Sequence, residues 1–472
     1  MKHTRLLVVF SILVCSTLLS AASNPVPLVY QPLIPASVAP GSPGFTLTVH
    51  GTGFVKGAVI KANGIALKTT FVSSTTLTAQ VPAKAVATAK TASITVTNPG
   101  TIASNVVYFS VRKNAGAVVQ LNRDNTVVDP GTVLTADFNN DQRPDIFNFR
   151  FGGSQGNGIL ETYFSEGTGQ FLKAQGAQFL FPNALYPGNV AADFNNDGNM
   201  DVSVCTYAEE YSCNLYLGNG KGRFAAANGG AIESAADMNG DGNLDTVGVS
   251  TDFITYSMCV NLGNGDGTFR PQQCTPMNLA AFGIAAVGDF NGDGILDVAV
   301  AGSVENSHYV GVFLGNGDGT LQPDVDYLLP VAANHLAVAD VNGDGKLDLI
   351  TNGVTVLLGH GDGTFTVGST VSIQQPVNAS VANNIKIADF NGDGILDVAT
   401  VSIDTNNNQI LNVLLGNGDG TFRNPLTFAV QSDAFFGPEQ DVGIADFNSD
   451  GLIDFVIGGN AASTVLLQVS QP

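Results

Sequence analysis

Hydrophobic positions along this chain come in short runs that follow two patterns. Between residues 27 and 112, "FTLTVHGTGF" (Phe45–Phe54), "TTLTAQVPA" (Thr75–Ala83), "ASITVTNPG" (Ala92–Gly100) and "SNVVYFSV" (Ser104–Val111) alternate apolar and polar residues. That period belongs to strands with one face buried and one in water. Beyond about residue 116, runs such as "VAVAG" (Val298–Gly302) are apolar on both faces, as in strands sandwiched between neighbouring sheets.

The second region repeats one polar device. Asp-x-Asn-x-Asp-x-x-x-Asp begins at Asp137, Asp193, Asp237, Asp289, Asp340, Asp389 and Asp446, seven copies 44 to 57 residues apart. A unit of that length holds four short strands and their turns, one propeller blade. In the cleanest unit, "NIKIADF" (Asn384–Phe390) leads into the bend and "ILDVATVSI" (Ile395–Ile403) leaves it. "ILNVLLG" (Ile410–Gly416), the tight turn "NGDGT" (Asn417–Thr421) and "FRNPLTFAV" (Phe422–Val430) complete the unit. Similar glycine turns recur at Gly218–Arg223, Gly263–Thr268, Gly315–Thr320 and Gly359–Thr364.

After Asp454 only "FVIGG" and "TVLLQVS" (Thr464–Ser470) remain, so the last unit lacks a fourth strand. The spare segment "GAVVQLN" (Gly116–Asn122) is expected to fill that place and remove an exposed edge. The chain is therefore predicted to be all-β: a seven-bladed β-propeller over 116–472, preceded by a small immunoglobulin-like β-sandwich over 27–112.

Three carboxylates within nine residues repel one another unless a cation sits among them. Oxygen-bearing side chains stand at positions one, three, five and nine, with glycine usually at six, where the backbone turns sharply. Hard oxygen donors with flexible geometry suit Ca²⁺ better than Mg²⁺. The expected ligands are Asp137, Asn139, Asp141, Asp145; Asp193, Asn195, Asp197, Asp201; Asp237, Asn239, Asp241, Asp245; and Asp289, Asn291, Asp293, Asp297. The remaining bends supply Asp340, Asn342, Asp344, Asp348; Asp389, Asn391, Asp393, Asp397; and Asp446, Asn448, Asp450, Asp454. Up to seven structural ions are expected. The dry alternative is an Asx turn held by its own hydrogen bonds. In "DFNNDQRPD" (Asp137–Asp145), Gln142 replaces the glycine and Pro144 stiffens the loop, so that bend is expected to bind weakly or stay empty.

Composition agrees. The net charge is -21 over 472 residues, and the bends hold 21 of the 40 acidic residues. That balance argues against nucleic acid or an anionic membrane as partner. Lys2, Arg5, the apolar "LLVVFSILVCSTLLS" (Leu6–Ser20) and Ser20-Ala21-Ala22 read as a secretory leader over residues 1–22, with no membrane insertion after cleavage. The product would be secreted, periplasmic or held at the cell surface. Four cysteines then remain, and pairing Cys205 with Cys213 and Cys259 with Cys274 would staple adjacent strands. No enzyme is expected: "GGSQG" (Gly152–Gly156) matches a nucleophile-elbow pattern without a helical run behind it, and the five histidines are scattered.

Gly51-Thr52-Gly53-Phe54, Val81-Pro82 and the "VTNPG…SN" stretch closely resemble an IPT/TIG domain. The D-x-N-x-D-G-x-x-D bends and "LGNGDGTF" resemble the FG-GAP/VCBS family of calcium-binding propellers, whose relatives include integrin α heads and some secreted lectins. The resemblance implies an extracellular, non-catalytic binding or adhesion scaffold, with a lectin-like carbohydrate binder as the alternative. Its partner would be an extracellular protein or a surface glycan. Since strands alternate in direction, the acidic bends and glycine turns share one face. The opposite face would carry the accessible aromatics Tyr186, Tyr207, Tyr211, Phe253, Phe282, His308, Tyr309, His335, Phe435 and Phe436, and is where partners are expected to bind.

Overall fold

In the computed structural model, the residues described are 24–469, apart from 113–118, 124–127, 153–156, 175–176, 180–189, 208–210, 228–233, 252–254, 281–284, 374–384, 405, 407, 432–440 and 460–461. The segment read as a leader, most of the "GGSQG" motif, Tyr186, Phe253, Phe282, Phe435 and Phe436 lie outside them. Among the described residues no helix is long and apolar enough to cross a membrane.

The alternating N-terminal strands close into a two-layer sandwich. One sheet joins Leu28–Val29, Phe45–Thr52, Thr76–Val81 and Lys68–Phe71; the other joins Ser37–Val38, Val107–Val111, Lys90–Thr97, Val59–Ala62 and Ile65–Ala66. The inward positions Leu47, Val49, Ile60, Leu77, Ile94, Val96 and Phe109 form its core. Full burial of each such side chain contributes about 1.5–3 kcal/mol.

The doubly apolar runs form seven further antiparallel sheets among the described residues, five of them simple four-stranded meanders in chain order. We number these blades 1 to 7 by their bends. Blade 4, for example, is Ala286–Gly288, Asp297–Val304, Ser307–Phe313 and Val325–Leu329. The first strands pack one on the next, and Val442–Ala445 of blade 7 packs on Thr132–Ala136 of blade 1, so the series closes on itself. Blade 7 takes its fourth strand from Leu121–Arg123, which pairs with Thr464–Gln468. This is the strand expected from "GAVVQLN", of which Gly116–Val118 lie outside the described residues. Blade 1 carries an extra piece, Ala177–Phe179, paired to its third strand.

Cores form between blades as well as within them. Val298 and Val300 of blade 4 pack with Val247 and Val260 of blade 3, while Ala299 and Val310 face Leu349 and Leu357 of blade 5. Both faces of the second strand are thereby covered, which is why these runs are apolar throughout. Disulfides Cys205–Cys213 and Cys259–Cys274 each join neighbouring strands of one blade.

Candidate functional site

Each bend turns the chain from the first strand of a blade into the second, and its polar side chains fold onto its own backbone. In blade 2, Asp193 accepts the amides of Asp197 (3.1 Å) and Gly198 (2.7 Å). Asn195 accepts the Asp197 amide at 3.0 Å and donates to the Asp197 carboxylate at 3.1 Å. Asp197 accepts the amide of Asn199 at 2.8 Å. The sixth residue must hold a positive φ for its amide to point inward, as Gly198 does at +86°. Gln142 holds the same conformation at +68°, and its amide donates to Asp137 at 2.7 Å. The first bend thus keeps the shape of the others. The fourth position is also left-handed, which explains Asn140, Asn196 and Ser449 there and glycine in the other four bends.

The ninth aspartate points away from the solvent. Asp297 is fully buried, accepting the amide of Phe290 (2.8 Å) and that of Gly315 (2.9 Å) at the end of the third strand. Asp145, Asp201, Asp245, Asp348, Asp397 and Asp454 repeat both bonds. These seven carboxylates latch the bend to the neighbouring turn. Burial pushes their carboxyls up, to about 8 for Asp145, Asp201, Asp397 and Asp454, about 7 for Asp245, and about 6 for Asp297 and Asp348. The second residue anchors the bend in the core: Phe138, Phe194, Met238, Phe290, Val341, Phe390 and Phe447 are all buried. The carbonyls of Phe138, Phe194, Phe290 and Phe447 each accept an amide from the glycine turn of the following blade, as in Gly363 to Phe290 (3.0 Å) and, across the closure, Gly169 to Phe447 (3.1 Å).

The donors left for an ion are those of the first, third and fifth residues, the spare lone pairs of the ninth, and main-chain carbonyls. Among the described residues no three His, Cys, Asp or Glu side chains gather closely enough to hold an ion alone, so the Asn oxygen and carbonyls would have to join them. The first aspartates nevertheless lack counter-charges. Among the described residues, Asp137, Asp193, Asp237, Asp289, Asp340 and Asp446 have no ion-pair partner, whereas Asp389 pairs with Arg112. Burial raises the carboxyls of Asp193 and Asp237 to about 6, and lifts those of Asp137, Asp289 and Asp446 above the ordinary range. Hard oxygen donors without a cation are the chemistry that Ca²⁺ serves. The fifth residues are more open, and two have basic neighbours: Arg270 lies 3.6 Å from Asp241, and Lys346 lies 3.9 Å from Asp344.

Sequence reasoning missed what sits on this face. The N-terminal sandwich is seated over it. Thr52 Oγ1 accepts the amide of Asp237 (3.1 Å), Ser74 Oγ donates to the carbonyl of Gly294 (3.4 Å), and Thr91 Oγ1 donates to the carboxylate of Asp446. Ser93 donates to Gln142, Ser37 to Asp389, and Ile102 lies against Gly198. Bends of blades 1, 2, 3, 4, 6 and 7 are all touched. Beneath the sandwich, at the hub, lies a cavity of about 1350 Å³ lined by residues including Tyr30, His50, Tyr108, Val287, Val338 and Lys386.

On the opposite face, His335 is buried at 2% exposure, and burial pushes its imidazole down to about 3, so it is not among the accessible rings. His308 and Tyr309 are half-buried, and Tyr309 packs against the core shared by blades 3 and 4. Tyr207 and Tyr211 stand opposite each other in the backbone register of the second and third strands of blade 2.

A family model for FG-GAP-like repeats matches residues 137–204, 237–300, 289–351, 351–400 and 389–457, and one for the IPT/TIG domain matches residues 32–111. Among curated proteins no match is found. The chain is similar to several solved structures. An auxiliary nutrient binding protein from Bacteroides ovatus is 13% identical, with 94% of this chain and 98% of that one covered, at a TM-score of 0.38. The exotype rhamnogalacturonan lyase YesX is 13% identical over 88% and 73%, with a TM-score of 0.32. A variant of AofleA from Arthrobotrys oligospora is 11% identical over 67% and 92%, with a TM-score of 0.36.

Proposed function

The chain belongs to the FG-GAP-like repeat family and carries an IPT/TIG domain, and on that premise we propose that it is an exported binding or adhesion protein whose propeller is stiffened by calcium at the acidic bends. The observation that carries this reading is the row of six first aspartates without an ion-pair partner among the described residues, each oriented by amides of its own bend. Calcium supplies positive charge and a flexible shell for oxygen donors. The chain supplies the rest: first, third and fifth side chains present oxygens, and the ninth fixes the bend to the third strand. Two disulfides support assembly in an oxidising compartment, in line with the leader read from the sequence.

Recognition is assigned to the face opposite the bends, since the sandwich covers the bend side. The partner class is an extracellular protein or a surface glycan, and no catalytic role is assigned. The test uses the chain lacking residues 1–22, immobilised on beads and presented to cells and to a glycan array, with calcium or with a chelator. Calcium-dependent adhesion together with a blank array supports the proposal. Specific glycan capture replaces it with a lectin. Adhesion and melting temperature both indifferent to chelation overturn it.

A further inference from the structure

Asp389 differs from the other first aspartates in how completely it is used. In blade 2, the Asp193 carboxylate receives two donors, the amides of Asp197 and Gly198. Asp389 receives five. Its Oδ1 accepts the amides of Gly392 (2.6 Å) and Asp393 (3.1 Å) and the Arg112 guanidinium (3.4 Å). Its Oδ2 accepts the amide of Gly394 (2.8 Å) and the Ser37 hydroxyl. A carboxylate offers about four lone-pair sites, so Asp389 has none left for a metal.

Arg112 follows the last strand of the sandwich, Val107–Val111, and enters between blades 6 and 7. Its side chain is 2% exposed and that of Asp389 1%. The guanidinium also donates to the Asp389 carbonyl and to Gln468 (3.4 Å). Gln468 is itself fixed, donating to the Phe390 carbonyl (2.8 Å) and, through its amide, to Asp454 (2.7 Å). A divalent ion would meet a fixed positive group in a buried setting where charge is weakly screened.

We infer that Arg112 is the resident cation of the Asp389 bend: the sandwich supplies the charge there, that bend does not take calcium, and the pair pins the two domains together. This rests on the reading that the other bends bind calcium. Ions bound to the purified chain are counted by titration calorimetry and by metal analysis after desalting. Asp193→Asn lowers the count by one, whereas Asp389→Asn leaves it unchanged. Arg112→Gln raises the count by one, and adding Asp389→Asn to Arg112→Gln removes the gain. Arg112→Lys, which keeps the charge, behaves as the parent.

The second readout is hydrogen exchange of peptides covering Gly392–Gly394. It speeds up in Arg112→Gln by roughly tenfold or more, because one partner of a buried pair is gone; peptides covering Gly198 do not change. A count that falls by one in Asp389→Asn alone overturns the inference. So does unchanged exchange in Arg112→Gln. A parent chain that binds no ion removes the calcium reading and the contrast between bends; the exchange result then decides whether Arg112 pins the domains.

Discussion

Removing the carboxylate of Asp297 would test the latch that every bend shares. Asp297 is fully buried and holds two main-chain amides, Phe290 at 2.8 Å and Gly315 at 2.9 Å. Asp297→Ala leaves both amides buried without an acceptor. An orphaned buried group costs about 1–3 kcal/mol, so the pair costs about 2–6 kcal/mol. Asp297→Asn sheds the same buried charge as alanine does but keeps one acceptor oxygen for one of the two amides. It should therefore lose about half as much. Urea unfolding in the presence of a chelator measures the difference without any contribution from bound metal. Hydrogen exchange of peptides holding Phe290 and Gly315 locates it. A loss below about 1 kcal/mol for the alanine variant would refute the latch. Asparagine proving as harmful as alanine would refute the hydrogen-bond accounting behind it.

Acidity gives a second prediction. Folded carboxyls raised to about 8 at Asp145, Asp201, Asp397 and Asp454 bind protons that the unfolded chain has already released above its ordinary value of 3.8. In chelator, stability should fall as pH rises from about 4 to about 8; a melting temperature that instead climbs over that window sinks the prediction. Saturating calcium should flatten or reverse the slope, because ligands must be deprotonated to bind. For the disulfides, Cys259→Ala with Cys274→Ala opens a link between residues 15 apart and should cost about 3 kcal/mol. Thiol titration of the unfolded, unreduced chain without its leader should find no free cysteine; four free thiols would contradict the pairing.

Much of the fold was legible because it is local. The bends, the glycine turns and the doubly apolar second strands each declare themselves within about fifteen residues, and their recurrence gives the blades. The fourth strand of blade 7 was legible because a spare strand-like run stands before the first bend with no place in the first unit. What was not legible depends on contacts made far away in sequence. Arg112 and Asp389 are 277 positions apart, and no spacing rule joins a sandwich strand to the sixth bend. The ninth aspartate reads as a metal ligand by analogy with ion-binding loops. Its two amide partners, however, come from the second residue of the bend and from the end of another strand, where backbone donors leave no mark in the sequence. His335 was counted among the accessible rings because it lies in a connection between blades, yet Asn352 ties that connection to the second strand of blade 5 and draws the imidazole into the core.

Leu121–Arg123 zips onto Thr464–Gln468, two segments separated in the chain by the whole of the intervening blades. During synthesis the propeller therefore stays an open arc, with one flank of its first blade uncovered, until Thr464–Gln468 leaves the ribosome. Unlike a linear array, which can gain stability one unit at a time, it has to be finished before it can be sealed. A chain stopped short of residue 464 would lack the partner for its own closing strand and expose the flanks of two blades at once. Chains stopped there should be quickly degraded or aggregate, a built-in check that the ring has been sealed.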